Sequence, residues 1–274
     1  MSYLQVDHVT KIYPSLEPGA KRGDKFVVFE NVNFNIEKGE FVSMIGHSGC
    51  GKSTLLNIMA GFDNATKGGI VLDGKETTSP GLDRMVVFQN FALMPWATAY
   101  ENVAMAVRQS HKSWSKAEVK EWTMKYLTMM NLESAANRRP SMLSGGMRQR
   151  VGLARAFAAE PKILLLDEPF AQIDALTRGS IQEELLRMWE ATNSTVFMVT
   201  HDVDEAILLS NRIAMMSNGP AAELAEIVEI DLPRPRVRAD LIDNPLYNEL
   251  RNHILKFLVT GKAAPRKFSD LKAI

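Results

Sequence analysis

Lys52 and Ser53 stand near the end of the stretch Gly46-His47-Ser48-Gly49-Cys50-Gly51-Lys52-Ser53-Thr54, and a stretch of that composition can hold phosphates. Its glycines let backbone N–H groups turn inward around an anion. A helix starting at its end adds partial positive charge. Lys52 then reaches the β- and γ-phosphates of a nucleoside triphosphate, and the Ser53 hydroxyl sits on Mg2+. A second set of reactive residues lies 115 positions after Lys52, where Asp167 and Glu168 follow Ile163-Leu164-Leu165-Leu166. A carboxylate there can hold Mg2+ directly or through water. Its neighbour can polarise a water that attacks the γ-phosphate. Two carboxylates after an apolar run can also be a solvated strand end; the phosphate loop upstream favours the chemical reading.

Ser144-Gly145-Gly146 opens a helical pattern, and its backbone N–H groups make a second anion site. Alone, the tripeptide reads as well as a turn. One nucleotide does not need two such sites from the same chain. A head-to-tail pair is the economical explanation, with the phosphate loop of one subunit facing Ser-Gly-Gly of the other.

The elements that must position these residues follow from the hydrophobic pattern. Residues 3–9 alternate and read as a strand, as does Phe26 to Ile36 with Val28, Val32, Phe34 and Ile36 as core positions. Residues 15–25 are polar with Gly and Pro and read as a loop. Phe41 to Ile45 is the buried strand that feeds the phosphate loop, and Leu55 to Ala60 the helix that leaves it. A short strand spans 69–74, and Met85 to Phe88 is another core strand, ending at Gln89. From Tyr100 to Leu132 the pattern is helical, with a capping box at Ser115 and Glu118 and a stripe of Val119, Trp122, Tyr126 and Met129. That stripe reads as the core of a small helical subdomain. Met147, Val151, Ala154 and Phe157 mark the helix after Ser-Gly-Gly, and Ile181, Leu185 and Met188 another. Ile163 to Leu166 is fully apolar, as expected for a parallel strand covered on both faces, and Thr195 to Val199 and Ile213 to Met216 read as further buried strands. Pro233-Arg234-Pro235-Arg236 breaks the pattern, a last helix runs from about Asn244 to Leu258, and the end from Gly261 is polar and basic. Parallel strands alternating with helices make this an α/β chain with a mostly parallel sheet, an antiparallel β portion near the N-terminus and a helical insertion.

Composition narrows the classes. The chain has 274 residues, 46% of them apolar, so a sizeable core is available. Lys+Arg and Asp+Glu both number 32, which gives no support for a nucleic-acid partner. Cys50 is the single cysteine, so no internal disulfide forms, and within the phosphate loop it reads as a small filler residue. The N-terminus carries no signal pattern. No apolar run approaches the roughly 20 residues of a membrane span, so a cytoplasmic protein is expected, unable to cross a membrane by itself.

Leu143-Ser144-Gly145-Gly146-Met147-Arg148-Gln149-Arg150 resembles the signature of the ATP-binding cassette (ABC) family, with Met147 where glutamine is usual. Gln89 matches the family's Q-loop, His201, 33 residues after Glu168, its switch histidine, Tyr13 its adenine-stacking aromatic and Asp174 its D-loop aspartate. The D-loop reads Ala171-Gln172-Ile173-Asp174, a departure at the first three positions that keeps the aspartate. The resemblance covers about residues 3–232. It implies a P-loop NTPase cassette with a RecA-like sheet over residues 1–232, a helical subdomain over about 90–160, and a C-terminal helical and basic tail over 233–274. It implies that ATP and Mg2+ bind. Tyr13 stacks on adenine, and Ser53, Gln89 and Asp167 serve Mg2+. Glu168 is the general base, His201 contacts the γ-phosphate, and Ser144, Gly145 and Gly146 close the partner's site.

Within the family, Pro80 to Gln89, Leu93-Met94-Pro95-Trp96, Thr200 to Ala206 and Leu232 to Arg236 resemble the nitrate, sulfonate, taurine and bicarbonate importer ATPases. Met216-Ser217-Asn218-Gly219-Pro220 is most similar to the cyanobacterial nitrate and bicarbonate members. Those systems pair a short ATPase with a longer one that carries a regulatory domain. The chain ends about 40 residues past Leu232, and the resemblance is to the short subunit. The expected partners are a second ATPase (longer, or an identical copy), a transmembrane permease dimer that docks on Asn90 to Asn102, and a solute-binding protein indirectly. The expected place is the cytoplasmic face of the inner membrane, and the expected cargo a small anion, nitrate or nitrite first, bicarbonate, cyanate or a sulfonate otherwise. A soluble cassette protein acting on ribosomes or DNA is the remote alternative; such proteins usually carry two cassettes or a long coiled coil.

Overall fold

In the computed structural model, which describes residues 3–15 and 24–261, two sheets and a set of helices enclose two continuous cores. The smaller sheet is antiparallel. It has the order β2 (Lys25–Ile36), β1 (Leu4–Pro14), β4 (Lys67–Leu72), β5 (Lys75–Glu76). Shifts of register at Val9 and Lys11 put Phe29 inside beside Val28, so strict alternation on β2 misses one core residue. The larger sheet has the order β10 (Leu224–Glu229), β9 (Arg212–Met216), β3 (Phe41–Ile45), β8 (Val196–Val199), β7 (Ile163–Asp167), β6 (Arg84–Val87). All its pairings are parallel except β10 with β9.

The continuous apolar runs have a direct physical cause. On β7, Ile163 and Leu165 face the core between the two sheets, while Leu164 and Leu166 face the helices. β8 divides likewise, with Phe197 and Val199 toward the small sheet and Val196 and Met198 toward the helices. Phe197 stacks on Phe34 of β2 with ring centroids 5.9 Å apart. Each such buried side chain contributes about 1.5–3 kcal/mol relative to exposure.

The helical pattern over Tyr100 to Leu132 resolves into two helices, α2 (Ala99–Ser110) and α3 (Lys116–Met129), after α1 (Lys52–Ala60). α3 starts in the expected capping box, Ser115 and Glu118 exchanging bonds with each other's backbone N–H. A second box, Thr98 with Glu101, starts α2. Val119 and Tyr126 are buried, and Trp122 donates its indole N–H to the Ala158 carbonyl of α4 (Gly145–Ala158) at 3.0 Å. α5 (Ala175–Thr192) and α6 (Val203–Leu209) complete the layer on that face.

The segment after Leu232 is not simply solvated. Arg236 is 6% exposed, and its guanidinium donates to the carbonyls of Ile207, Leu208 and Ser210 and of Ile230 and Leu232. It thereby satisfies the carbonyls left open at the end of α6. Burial, with Arg234 nearby, pushes its pKa down to about 9. After α7 (Arg238–Leu241), α8 (Pro245–Thr260) is capped by Asn244 and buries Leu250, Ile254 and Phe257 in the helix-side core. The loop expected at 15–25 and the basic end fall largely on residues 16–23 and 262–274, outside the described residues.

Candidate functional site

Because β3, β8, β7 and β6 are parallel neighbours, their C-terminal ends share one edge of the sheet, where α/β folds place their ligand sites. The phosphate loop follows β3. Asp167 ends β7 with Glu168 next, Thr200 and His201 follow β8, and Gln89 follows β6 by two residues.

The loop is built for an anion. Gly51 is the N-cap of α1 at φ +99°, and no side chain caps the helix, so its first N–H groups remain available. A Cβ on Gly51 would lie 2.6 Å from the Phe29 ring and 2.7 Å from Val28, so only glycine fits. Lys52 is buried and donates to the Gly46 and His47 carbonyls at 2.8 and 3.0 Å, which pins the ammonium inside the loop. Gly46 and Cys50 lie buried beneath. Burial pushes the Cys50 thiol up, as suits a filler residue.

A cleft of roughly 390 Å³ is lined by Ser48, Gly49, Gly51, Lys52, Ser53 and Thr54 on one side, Tyr13, Phe26 and Val28 on another, and Glu168. Tyr13 is held by its hydroxyl, which donates to Asp63 at 2.5 Å, while the Lys11 ammonium lies 4.5 Å from its ring centroid. Burial and the Asp63 bond push its pKa up to about 12, so the phenol stays neutral. Phe26 and Val28 were not legible as cleft residues. Pairing residues 3–14 with 25–36 as a hairpin was the available signal, since it sets Phe26 opposite Tyr13.

Around the cleft the charged groups meet in pairs. Ser53 donates its hydroxyl to Asp167 at 2.9 Å. Burial raises the Asp167 pKa, a pull that the Ser53 bond opposes and nearby Glu168 reinforces. Glu168 takes φ +46°, a strained backbone for a side chain of this kind, held by its N–H donating to Val199 at 2.9 Å. Its carboxylate lies 3.4 Å from His201 Nδ1.

Other expected residues lie outside this cluster. Gln89 is exposed in the turn after β6 and does not line the cleft. The following loop is tied to α4, where Arg155 donates to the carbonyls of Ala92 and Phe91 at 2.8 and 3.3 Å. His47 donates its Nε2–H to the Leu258 carbonyl at the end of α8, a contact across 211 residues that no local pattern signals. Ser144 is the N-cap of α4, accepting from Met147 N–H at 3.2 Å. Gly145 is half-exposed, whereas Gly146 is buried because a Cβ there would lie 2.5 Å from Thr177 of α5. Asp174 caps α5 through Thr177 N–H at 3.0 Å, and that bond lowers its pKa. None of Ser144, Gly145, Gly146 and Asp174 lines the cleft of its own chain.

The family model described as ABC transporter matches residues 29–171. The chain belongs to the ABC transporter family. It is 52% identical over 235 residues to the nitrate transport protein NasD of Klebsiella oxytoca, covering 85% of this chain and 90% of that one. It is 47% identical over 256 residues to the nitrate import ATP-binding protein NrtD of Synechococcus elongatus, covering 93% of this chain and 91% of that one. It is also 47% identical over 264 residues to NrtC of the same organism, but there it spans 39% of the relative's length against 96% of its own. Among solved structures, a dimeric ATP-binding cassette, MJ0796, bound to ADP and Pi is 34% identical with a TM-score of 0.71, covering 84% of this chain and all of that one. The family's fold is thus the fold of this chain, with its parallel sheet, antiparallel sheet and helical segment.

Proposed function

We propose that the chain is the ATP-hydrolysing subunit of an importer for a small inorganic anion, with nitrate or nitrite the leading cargo. The observation that carries the hydrolytic part is the joining of Ser53 to Asp167 and of Glu168 to His201 on one edge beside the phosphate loop. The adenine of ATP stacks on Tyr13 with Phe26 beside it, and the phosphates run along the loop to Lys52. Ser53 and Asp167 supply two adjacent oxygen donors, one a carboxylate, which fits an ion that takes few protein ligands when phosphates supply others. Ser53 and Asp167 would hold Mg2+, and Gln89, which lies outside the cleft here, would have to move inward to join them; the ion would neutralise charge on the β- and γ-phosphates. Glu168 takes a proton from the attacking water. The new bond joins water oxygen to γ-phosphorus, and the bond to the bridging oxygen breaks, its electron pair leaving with ADP. His201 holds the γ-phosphate opposite Glu168.

Ser144, Gly145 and Gly146 close the site of a second cassette arranged head to tail, and Asp174 lies at the same junction. That second cassette is a longer ATPase or an identical copy. The pair docks on a transmembrane permease dimer at the cytoplasmic face of the inner membrane, with a solute-binding protein delivering cargo on the other side. Of the four large apolar residues in the docking loop, Phe91 is buried, Leu93 and Met94 are half-buried, and Trp96 is 69% exposed. Trp96 borders a groove of about 450 Å³ with Glu101, Met105 and Arg108, which gives a permease segment an apolar seat with a charged rim. No helix among the described residues is long and apolar enough to cross a membrane, and the permease is taken to be another chain. Bicarbonate is the second reading, because a CmpD of Synechocystis, a bicarbonate transport ATP-binding protein, is also 47% identical. Purification of the intact complex, then ATPase assay with nitrate, nitrite, bicarbonate, cyanate and taurine, tests the cargo. Stimulation by nitrate or nitrite is expected; stimulation by the sulfonate alone contradicts it.

A further inference from the structure

Beside Glu168 and His201 lies a small, partly enclosed space that the hydrolytic roles leave unused. It measures about 30 Å³ and is bordered by Glu168, Arg178, Thr200, His201, Asp202 and Glu205. Glu205, on the first turn of α6, is 5% exposed. One of its oxygens accepts the Thr200 hydroxyl at 2.8 Å, and the other accepts the Gln182 amide of α5 at 2.9 Å. Thr200 Oγ1 in turn accepts the Asp202 N–H at 3.0 Å. Asp202 caps α6 through the N–H groups of Asp204 and Glu205 at 2.9 and 3.0 Å. His201 therefore sits between Thr200, which bonds the Glu205 carboxylate, and Asp202, which is tied to it through Thr200 Oγ1. From α5, Arg178 brings Nη1 to 3.5 Å from Asp202 and its buried Nε, which makes no hydrogen bond, to 4.0 Å from Glu205. Arg238, before α8, donates to Gln182 Oε1.

We propose that Glu205 in its ionised form is a positioning residue for His201, holding it against Glu168 through Thr200 and Asp202. The inference rests on the hydrolytic reading above. As a carboxylate, Glu205 matches its surroundings, because both its neighbours donate and the Arg178 cation faces it. As a carboxylic acid it must itself donate. The charge-assisted bond from the Thr200 hydroxyl then becomes a weaker neutral one, or reverses so that the acid donates to the remaining Thr200 lone pair, and the Arg178 attraction weakens. The 3.4 Å approach of His201 to Glu168 loosens with it. Burial first, then the Asp202 charge, raises the Glu205 pKa to about 7, against the opposing pull of the Thr200 bond, Arg178 and Arg238. The switch from acid to carboxylate thus falls near neutral pH, and the held state is the one above it.

The test is the ratio of turnover, Glu205→Gln over wild type, measured from about pH 5.5 to about pH 8.5. Taking a ratio cancels the ionisation of ATP. Glutamine mimics the protonated acid, so the ratio should approach one at the acid end. It should fall to roughly a tenth at the alkaline end, with its midpoint near pH 7. Thr200→Val, which removes the link and not the charge, should reproduce the same slope. Affinity of both variants for ADP, which lacks the γ-phosphate that His201 holds, should match wild type, which shows that they fold. A ratio that is low but flat makes Glu205 only structural and overturns the proposal, as does a ratio of one throughout. Glu168→Gln, run alongside, separates the two readings. Normal turnover in that variant removes the general base and leaves the Glu205 ratio a result in its own right.

Discussion

The two helix N-termini proposed to meet a nucleotide are built differently. α1 begins at Gly51, in a left-handed conformation, with no side chain on its open N–H groups and a buried lysine as its first residue. α4 begins at Ser144, whose hydroxyl already occupies the Met147 N–H, and its first residue is a half-exposed glycine. Around α1 stand Ser53 with Asp167, then Glu168 with His201. α4 has no such company; its opening turn packs on α5, where Gly146 admits Thr177. The first terminus gathers its proton-moving groups from its own chain, while the second offers N–H groups and nothing that moves a proton. Such a surface acquires chemical meaning when another chain supplies the nucleotide.

That contrast can be broken at several strengths. The largest effect is expected from Glu168→Gln, which should keep ATP binding and lower turnover about 10²–10⁴-fold in a steady-state assay. Next, Lys52→Ala should weaken nucleotide binding about 10–100-fold, the scale of a lost charged hydrogen bond, measured by titration calorimetry. On the α4 side, Ser144→Ala should lower unfolding stability by about 1 kcal/mol, read from the denaturant midpoint, with affinity at the chain's own phosphate loop unchanged. Smallest of all, Gly145→Ala should change stability by less than about 0.5 kcal/mol, because its nearest new contact lies at 3.7 Å. It should nonetheless reduce turnover of the assembled pair, which a fold-only role for Gly145 forbids. If Ser144→Ala weakens binding in a lone chain, the division between the two termini fails.

How much of this was legible depended on sequence distance. The phosphate loop, the carboxylates after β7 and the histidine after β8 are local patterns, each an apolar run followed by a reactive residue. Once the runs are taken as parallel neighbours, their ends must meet. The Ser115 capping box is equally local, and it forms. What could not be read depends on packing between distant segments. Arg236 sits in a stretch that looks like a solvated break, yet it satisfies carbonyls of α6 from 26 to 29 residues earlier. Phe26 enters the cleft only through its register against Tyr13. His47 meets α8 across most of the chain. Gln89 was placed by resemblance with the metal ligands, whereas here it lies exposed outside the cleft.

The central claim is that the phosphate loop is half of a site, completed by Ser144, Gly145 and Gly146 of a second cassette. Sedimentation of Glu168→Gln with and without ATP and Mg2+, alone and with the partner ATPase, tests it most directly. The account predicts a shift from one cassette to two that requires ATP and is weakened by Gly145→Ala. A chain that binds ATP and stays at single-cassette mass in both mixtures contradicts it.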